Sequence, residues 1–392
     1  MARIKRTSAA HLSGWLLLLA VMGGALAVTA YALTSSNRPV PPRRSLAAAV
    51  HAGLSGRPVA GVSADIALSD HLIPGSSTTY QVGPLAGATA HVWAAGGRVR
   101  VDLRSHLLDA DIAFAPGRVT VLDLTRHVAY ELPISNAHPS DRAKAARSHG
   151  VPTVAEIQKV ISRLAQRMVV SGALPGDIAG HPAYTVRVSP RRNGGLIGNL
   201  TLAWDAVHGV PLRFAIYPRG SGTPAIDLTV TNIRYGPVPA RFLTVAVPTG
   251  MRIQTVHRPA HPRTAAHAKA HTTVTGVAAV ASRVGFKLAA PAKLHGFVRR
   301  DVRLVGTGSH AGALIVYGRG LGSVFVLEQP ASGHSTSHSS SALPKVWIGG
   351  VAGRELETTL GTLVQYTRGG VAMTVFGSQP AGAIVAAAQT LG

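Results

Sequence analysis

Few groups of residues in this chain combine the types and the spacing that chemistry requires. Glu355 and Glu357 stand two apart on a predicted strand and share a face, the arrangement of paired carboxylates in acid–base work. As charges on a strand surface they need no function. His257, His261, His267 and His271 form two His-x-x-x-His spacings, which on a helix would point two imidazoles at one divalent metal. Pro259 and Pro262 interrupt a helix through the first pair and no carboxylate lies nearby, so a solvated hinge is the better reading. Gly318, Gly320 and Gly322 in YGRGLGS could cradle a phosphate only if a helix followed; a strand follows, which makes them a hairpin turn. There is no Walker loop, G-x-S-x-G elbow or His-Glu-x-x-His. Cysteine is absent, which excludes disulfides, thiolate metal sites, a cysteine nucleophile and a lipidated cysteine. Serines and histidines are numerous enough that chance pairing among them is expected. The expectation is no catalytic residue, no metal and no cofactor.

What remains is apolar. From His181 to Gly250 the chain reads as four strands, HPAYTVRVSP, GNLTLAWDAVHG, VPLRFAIYPRG and AIDLTVTNIRYG, closed by VPARFLTVAVPTG. Tyr184, Val186 and Val188 share one face of the first strand, and Leu200, Leu202 and Trp204, then Leu212, Phe214 and Ile216, repeat the scheme. With Trp93 these are the candidate lining of an apolar ligand cavity, or else an ordinary core. The joins Asp205 to Pro211 and Pro218 to Pro224 carry the glycine and proline of hairpin loops. In the fourth strand Ile226, Leu228 and Val230 lie on one parity and Ile233 and Tyr235 on the other, which predicts a bulge near Thr231 and Asn232.

Other elements must position that sheet. Ser45 caps a short helix with Leu46, Val50 and Leu54 on one face, and strands follow through Leu132, with a tight turn at Gly96 and Gly97. Thr153 and Glu156 form a capping box ahead of an apolar stripe, Val154, Ile157, Ile161, Leu164 and Met168, which Gly172 ends; this helix is the expected lid. A second unit from Gly276 is mostly antiparallel strand, with a hairpin at Gly369 and Gly370, a polar low-complexity loop from Ser332 to Ser341, and a final helix from Pro380 to Leu391 capped by Ser378.

Before all this, no charged residue occurs from Leu12 to Leu33, long enough to cross a bilayer. An uncleaved anchor is favoured over a secretory signal cut after Ala30-Tyr31-Ala32. The divisions are a tail and transmembrane anchor at 1–36, a spacer at 37–44, a first domain at 45–253, a linker at 254–275 and a second domain at 276–392. The formal net charge of +23 is carried mostly by dispersed arginine and speaks to solubility and association. No zinc-finger spacing, RNP-like strand or basic helix supports nucleic-acid binding.

Residues 45 to 250 resemble the LolA-like superfamily of lipoprotein carriers, lipid-binding lipoproteins and RseB-type regulators of anti-sigma factors. The resemblance is carried by the helix from Ser45, the strand pairs GRVRVDLRS and GRVTVLDLTRHVAYELPI, and AGHPAYTVRV, LAWDAVHGVPLRFAIY and LTVTNIRYGPVP, with Trp204, Asp205, Gly209 and Pro211 in the family's order. Gly276 to Gly392 is similar to a small domain that accompanies such units in actinobacterial envelope proteins. The fold class expected is α+β: a transmembrane helix, a curved antiparallel half-barrel with a helical lid, then a small antiparallel α+β domain. The resemblance implies an extracytoplasmic, membrane-anchored protein that holds a lipid or the acyl chains of a lipoprotein, or alternatively one that binds an anti-sigma factor or other envelope protein. An envelope hydrolase is the remote third reading.

Overall fold

The computed structural model describes residues 40–56, 58–73, 87–133, 151–192, 194–255, 274–331 and 343–391. The apolar segment from Leu12 to Leu33, the four linker histidines and the tract from Ser332 to Ser341 lie outside those residues. Among the described residues no helix is long and apolar enough to cross a membrane.

The first unit is one sheet. Its strands are β1 (Val62–Asp70), β2 (Ala88–Ala95), β3 (Arg98–Arg104), β4 (Asp109–Ala115), β5 (Arg118–Asp123), β6 (Val128–Pro133), β7 (Met168–Val170), β8 (Leu174–Ile178), β9 (His181–Pro190), β10 (Ile197–Asp205), β11 (Pro211–Pro218), β12 (Ile226–Tyr235) and β13 (Arg252–Thr255). They lie in the order β13-β6-β5-β4-β3-β2-β1-β12-β11-β10-β9-β7, with β8 also on β9. Two meanders therefore meet where β1 pairs antiparallel with both β2 and β12. The end strands are not paired to each other, so the sheet is an open half-barrel. Its core lies on one face, where Ala64, Ile66, Val101, Ile112, Val121, Leu228 and Val230 are all buried. The bulge read from the sequence is there: Asp65 opposes Asn232 while Ile66 opposes Val230, which leaves Thr231 over and keeps Ile233 on the core face.

Two helices accompany this sheet. In α1 (Leu46–Leu54) the Ser45 hydroxyl accepts from Ala48 N–H, but the buried side is Ala47 and Ala49, and Leu54 is exposed. The close approach of helix and sheet selects small residues: a Cβ on Gly53 would stand 3.2 Å from the Trp204 ring. In α2 (Val154–Ala165) the Thr153–Glu156 capping box forms as expected, yet the helix stops at Ala165, well before Gly172, because Met168 to Val170 pair with β9 as β7.

The segment read as a closing strand, VPARFLTVAVPTG, does not pair with β12. Pro239 and Pro248 within it, and Pro237 just before it, lack the N–H groups a ladder needs. The segment instead crosses the outer face as a strap: Phe242 stacks on Trp93 of β2 at 5.6 Å, Thr244 O accepts from Arg100 of β3, and β13 then pairs parallel with β6. Gln254 and Thr255, at the start of the segment read as linker, belong to that strand.

The second unit has the strands β14 (Lys293–Leu294), β15 (Phe297–Val305), β16 (Gly312–Tyr317), β17 (Val324–Pro330), β18 (Lys345–Ile348), β19 (Val351–Thr358), β20 (Gly361–Arg368) and β21 (Val371–Gly377), in the order β14-β15-β16-β17-β21-β20-β19-β18. The helices α3 (Val277–Ala281) and α4 (Ala381–Thr390) close its core. Ser378 does not cap α4. Its hydroxyl turns to the first unit, accepting from Leu196 N–H at 3.1 Å. Thr359 donates to Leu72 O and His71 O nearby, and Leu360 packs into the first core. The backbones approach so closely at the Ser378 contact that a Cβ on Gly195 would fall 1.5 Å from Ser378 O, and Gly195 also has φ of 61°.

Candidate functional site

Period two on neighbouring strands builds rows of side chains when the registers agree. Here Val186, Leu202, Phe214 and Leu228 are successive Cα partners across β9 to β12, and Val188, Leu200, Ile216 and Ile226 form the next row. Tyr184 and Trp204 pair beside them. Nine of the ten candidate residues thus gather on β9 to β11.

Exposure divides them. Tyr184, Val186 and Trp204 pack under Ala49 of α1, and Leu212 is 1% exposed; these four are core. Val188, Leu200, Phe214 and Ile216 are half-buried, and Leu202 is 36% exposed. The open part of the face is therefore these last five residues. The α2 helix packs on α1 and β7, and β7 meets β9 at Val188, so the helix stands beside the open rows. Of its stripe only Ile157 is buried, and Val154 and Leu164 are substantially exposed, as is Val160 next to them. An amphipathic helix whose apolar side is not consumed by its own domain offers contact area to a guest.

Trp93 is elsewhere. Its Cα partners are Ser63 and Arg100, so it projects from the opposite face, where Phe242 stacks on it and the Arg100 guanidinium lies 5.4 Å from its ring. Parity within β2 separates Trp93 from Val92, which packs in the core, but nothing local shows which parity faces inward. Glu355 and Glu357 do share a face of β19, as read. Burial, then the charge of Glu357, raises the Glu355 carboxyl above its ordinary range.

The rim of the face is fixed by a carboxylate. Asp205 is fully buried and accepts from the backbone N–H groups of Val207 and His208, from Tyr235 O–H at 2.7 Å and from His208 Nδ1 at 3.2 Å, with His181 Nδ1 at 3.4 Å. Burial pushes this carboxyl upward, but the bonds from His181, His208 and Tyr235 outweigh it and hold Asp205 well below the usual carboxylate range. The same contact raises His181, while burial and the neighbouring charge raise the Tyr235 hydroxyl. Among the described residues no serine, threonine or cysteine joins the cluster. It is a clamp that ties the β10–β11 turn to β12 and so holds Trp204 under α1. Gly209 completes the turn at φ 70°, with its missing Cβ 2.2 Å from Gly53 O. The WDAVHGVP stretch that marks the family resemblance thus has a structural task.

No family model matches the chain, and no curated protein does. Among solved structures it is similar to "Crystal structure of MucB in complex with MucA(peri)", at 16% identity and a TM-score of 0.42, over 88% of this chain and 95% of that one. A Pseudomonas aeruginosa MucA/MucB complex gives 16% and 0.41 over 88% and 94%. An uncharacterized conserved protein from Thermus thermophilus gives 12% and 0.33 over 54% of this chain and 97% of that one. Likenesses at this level decide nothing about ligand or partner.

Proposed function

We propose that the chain is a membrane-anchored, extracytoplasmic binding protein that holds an acyl chain, of a lipid or of a lipidated partner, against the inner face of β9 to β11. The observation that carries this reading is the double row ending in Val188, Leu200, Leu202, Phe214 and Ile216, apolar and incompletely covered, beside a helix with spare apolar surface. Each methylene transferred from water to such a face contributes about 0.8 kcal/mol, so a long chain can be retained without any catalytic group. Anchoring would come from Leu12 to Leu33. The test is lipid extraction and mass spectrometry on detergent-free protein against a matched blank, repeated with Leu202→Glu. Leu202 suits this purpose because it is exposed, whereas a charge at Trp204 would disrupt the core. A stoichiometric lipid that Leu202→Glu loses supports the reading; an empty, folded wild type overturns it.

The contact between the two units favours a second reading, a regulator of the RseB type that binds an anti-sigma factor. Leu360 packed against the first core and Ser378 against Leu196 couple the sheets, so a guest on one can alter what the other presents. Capture of a membrane-spanning anti-sigma factor that depends on residues 276–392 and is reversed by lipid would support it.

A further inference from the structure

The outer face of the first sheet carries a group that the sequence hides among many serines and histidines. Ser63 and Asp65 alternate on β1, and His91 is the Cα partner of Asp65 on β2. Ser63 Oγ lies 2.9 Å from His91 Nε2, and His91 Nδ1 lies 2.6 Å from Asp65 Oδ1. Asn232 Nδ2 donates to the other Asp65 oxygen at 3.3 Å. A carboxylate accepting from Nδ1–H leaves Nε2 bare, so the Ser63 hydroxyl donates to it. Nucleophile, base and orienting acid stand in that order. Because all three side chains rise from paired strands, their spacing is held by the ladder.

Ser63 also lines a surface pocket of about 210 Å³, together with Trp93, Arg234, Val238 and Phe242. Arg234 is exposed and is the Cα partner of Ser63 on β12. From these contacts we infer that Ser63, His91 and Asp65 form a serine esterase site on the face opposite the acyl-binding rows, acting on carboxylic esters with a short apolar acyl group. This activity does not rest on the binding role. Ser63 Oγ adds to the ester carbonyl carbon as its proton passes to His91 Nε2, and the Arg234 cation offsets the charge that develops on the carbonyl oxygen. The adduct collapses with cleavage of the bond to the alcohol oxygen, which leaves with the proton from Nε2. Water then attacks the acyl-serine by the same route, releasing the carboxylic acid and restoring Ser63. Asp65 is a positioning residue, since it acts through His91. The acyl group lies against Trp93, Val238 and Phe242, and the small volume limits its length.

The experiment treats the full chain, purified in detergent, with a fluorophosphonate, from which Ser63 would displace fluoride, and in parallel with p-nitrophenyl butyrate. Mass spectrometry is expected to find the phosphonyl group on the peptide containing Ser63. Hydrolysis is expected to fall at least about 100-fold in Ser63→Ala and in His91→Gln, the usual scale of a lost base. Asp65→Ala should fall with them, and Asp65→Glu should recover part of the rate, which a merely structural role would not require. Circular dichroism checks that each variant folds; none of the three residues is in the core. The assignment is overturned if Ser63 is labelled no faster in wild type than in His91→Gln, or if Ser63→Ala hydrolyses the ester as fast as wild type.

Discussion

The two sheets fill their interiors differently. In the second unit Ile315, Val324, Val326, Ile348, Val364, Val375, Ile384 and Ala387 are all 0% exposed, because α4 lies across the strands and seals them. In the first, the corresponding face is left half-covered from Val188 to Ile216, and Leu202 reaches solvent. A sheet that consumes its whole apolar face has nothing left to bind with; one that stops short keeps a surface for a guest. The sealed unit also encloses polar groups. The Glu328 carboxyl is fully buried and accepts from Ala289 N–H through one oxygen; among the described residues its other oxygen and the Tyr317 hydroxyl have no partner. Burial raises the Glu328 carboxyl above its ordinary range and pushes Tyr317 up to about 12.

The contrast can be broken or sharpened in graded steps. The largest effect is expected from Asp205→Ala, which unties the rim of the open face; removing one member of a buried charged network costs about 3–5 kcal/mol, read by denaturant unfolding. Next, Ile384→Ala should destabilise the sealed unit by about 3 kcal/mol, because packed surroundings cannot collapse into the cavity. Similar losses from Leu202→Ala would erase the distinction between the two faces.

Acidity should separate the units without any mutation. Asp205 is held low, so its share of stability is full above about pH 3.9, the unfolded value, and is lost as pH falls through the folded one; His181 is held high, so its share is full below about pH 6.5 and is lost as pH rises through its folded value. The clamp is therefore at full strength between those limits. Glu328 has the reverse sign for an acid: its share is full below about pH 4.3 and declines as pH rises through its raised value. Hydrogen exchange, corrected for intrinsic rate, should show β17 losing protection as pH rises above about 4.3, and Glu328→Gln should flatten that trend. The smallest change in stability belongs to Leu202→Glu, within about 0.5 kcal/mol, yet it is the one expected to abolish ligand retention.

Much of this was legible in the chain. Alternation gave the strands of both meanders, its slip gave the bulge at Thr231, and Thr153 with Glu156 gave the start of α2, because each is decided within a few residues. Pairings between distant segments were not. The β1–β2 connection is too long to fix a register, so nothing local aligned His91 with Asp65 or turned Trp93 outward. Ser378 looked like a cap because the residue types for capping and for meeting another domain are the same. Which candidates were core and which were open depended on where α1 settled, a matter of tertiary packing around Gly53 and Ala49.

Both sheets also end in very short strands. The first finishes in β13 with four residues at one side and β7 and β8 with three and five at the other, and the second in β14 with two and β18 with four. Unpaired edges are the usual template for intermolecular strand addition, and lengths like these offer few free backbone groups to an incoming chain. Arrays built edge to edge are thereby disfavoured, and contacts made through side chains are favoured over strand addition.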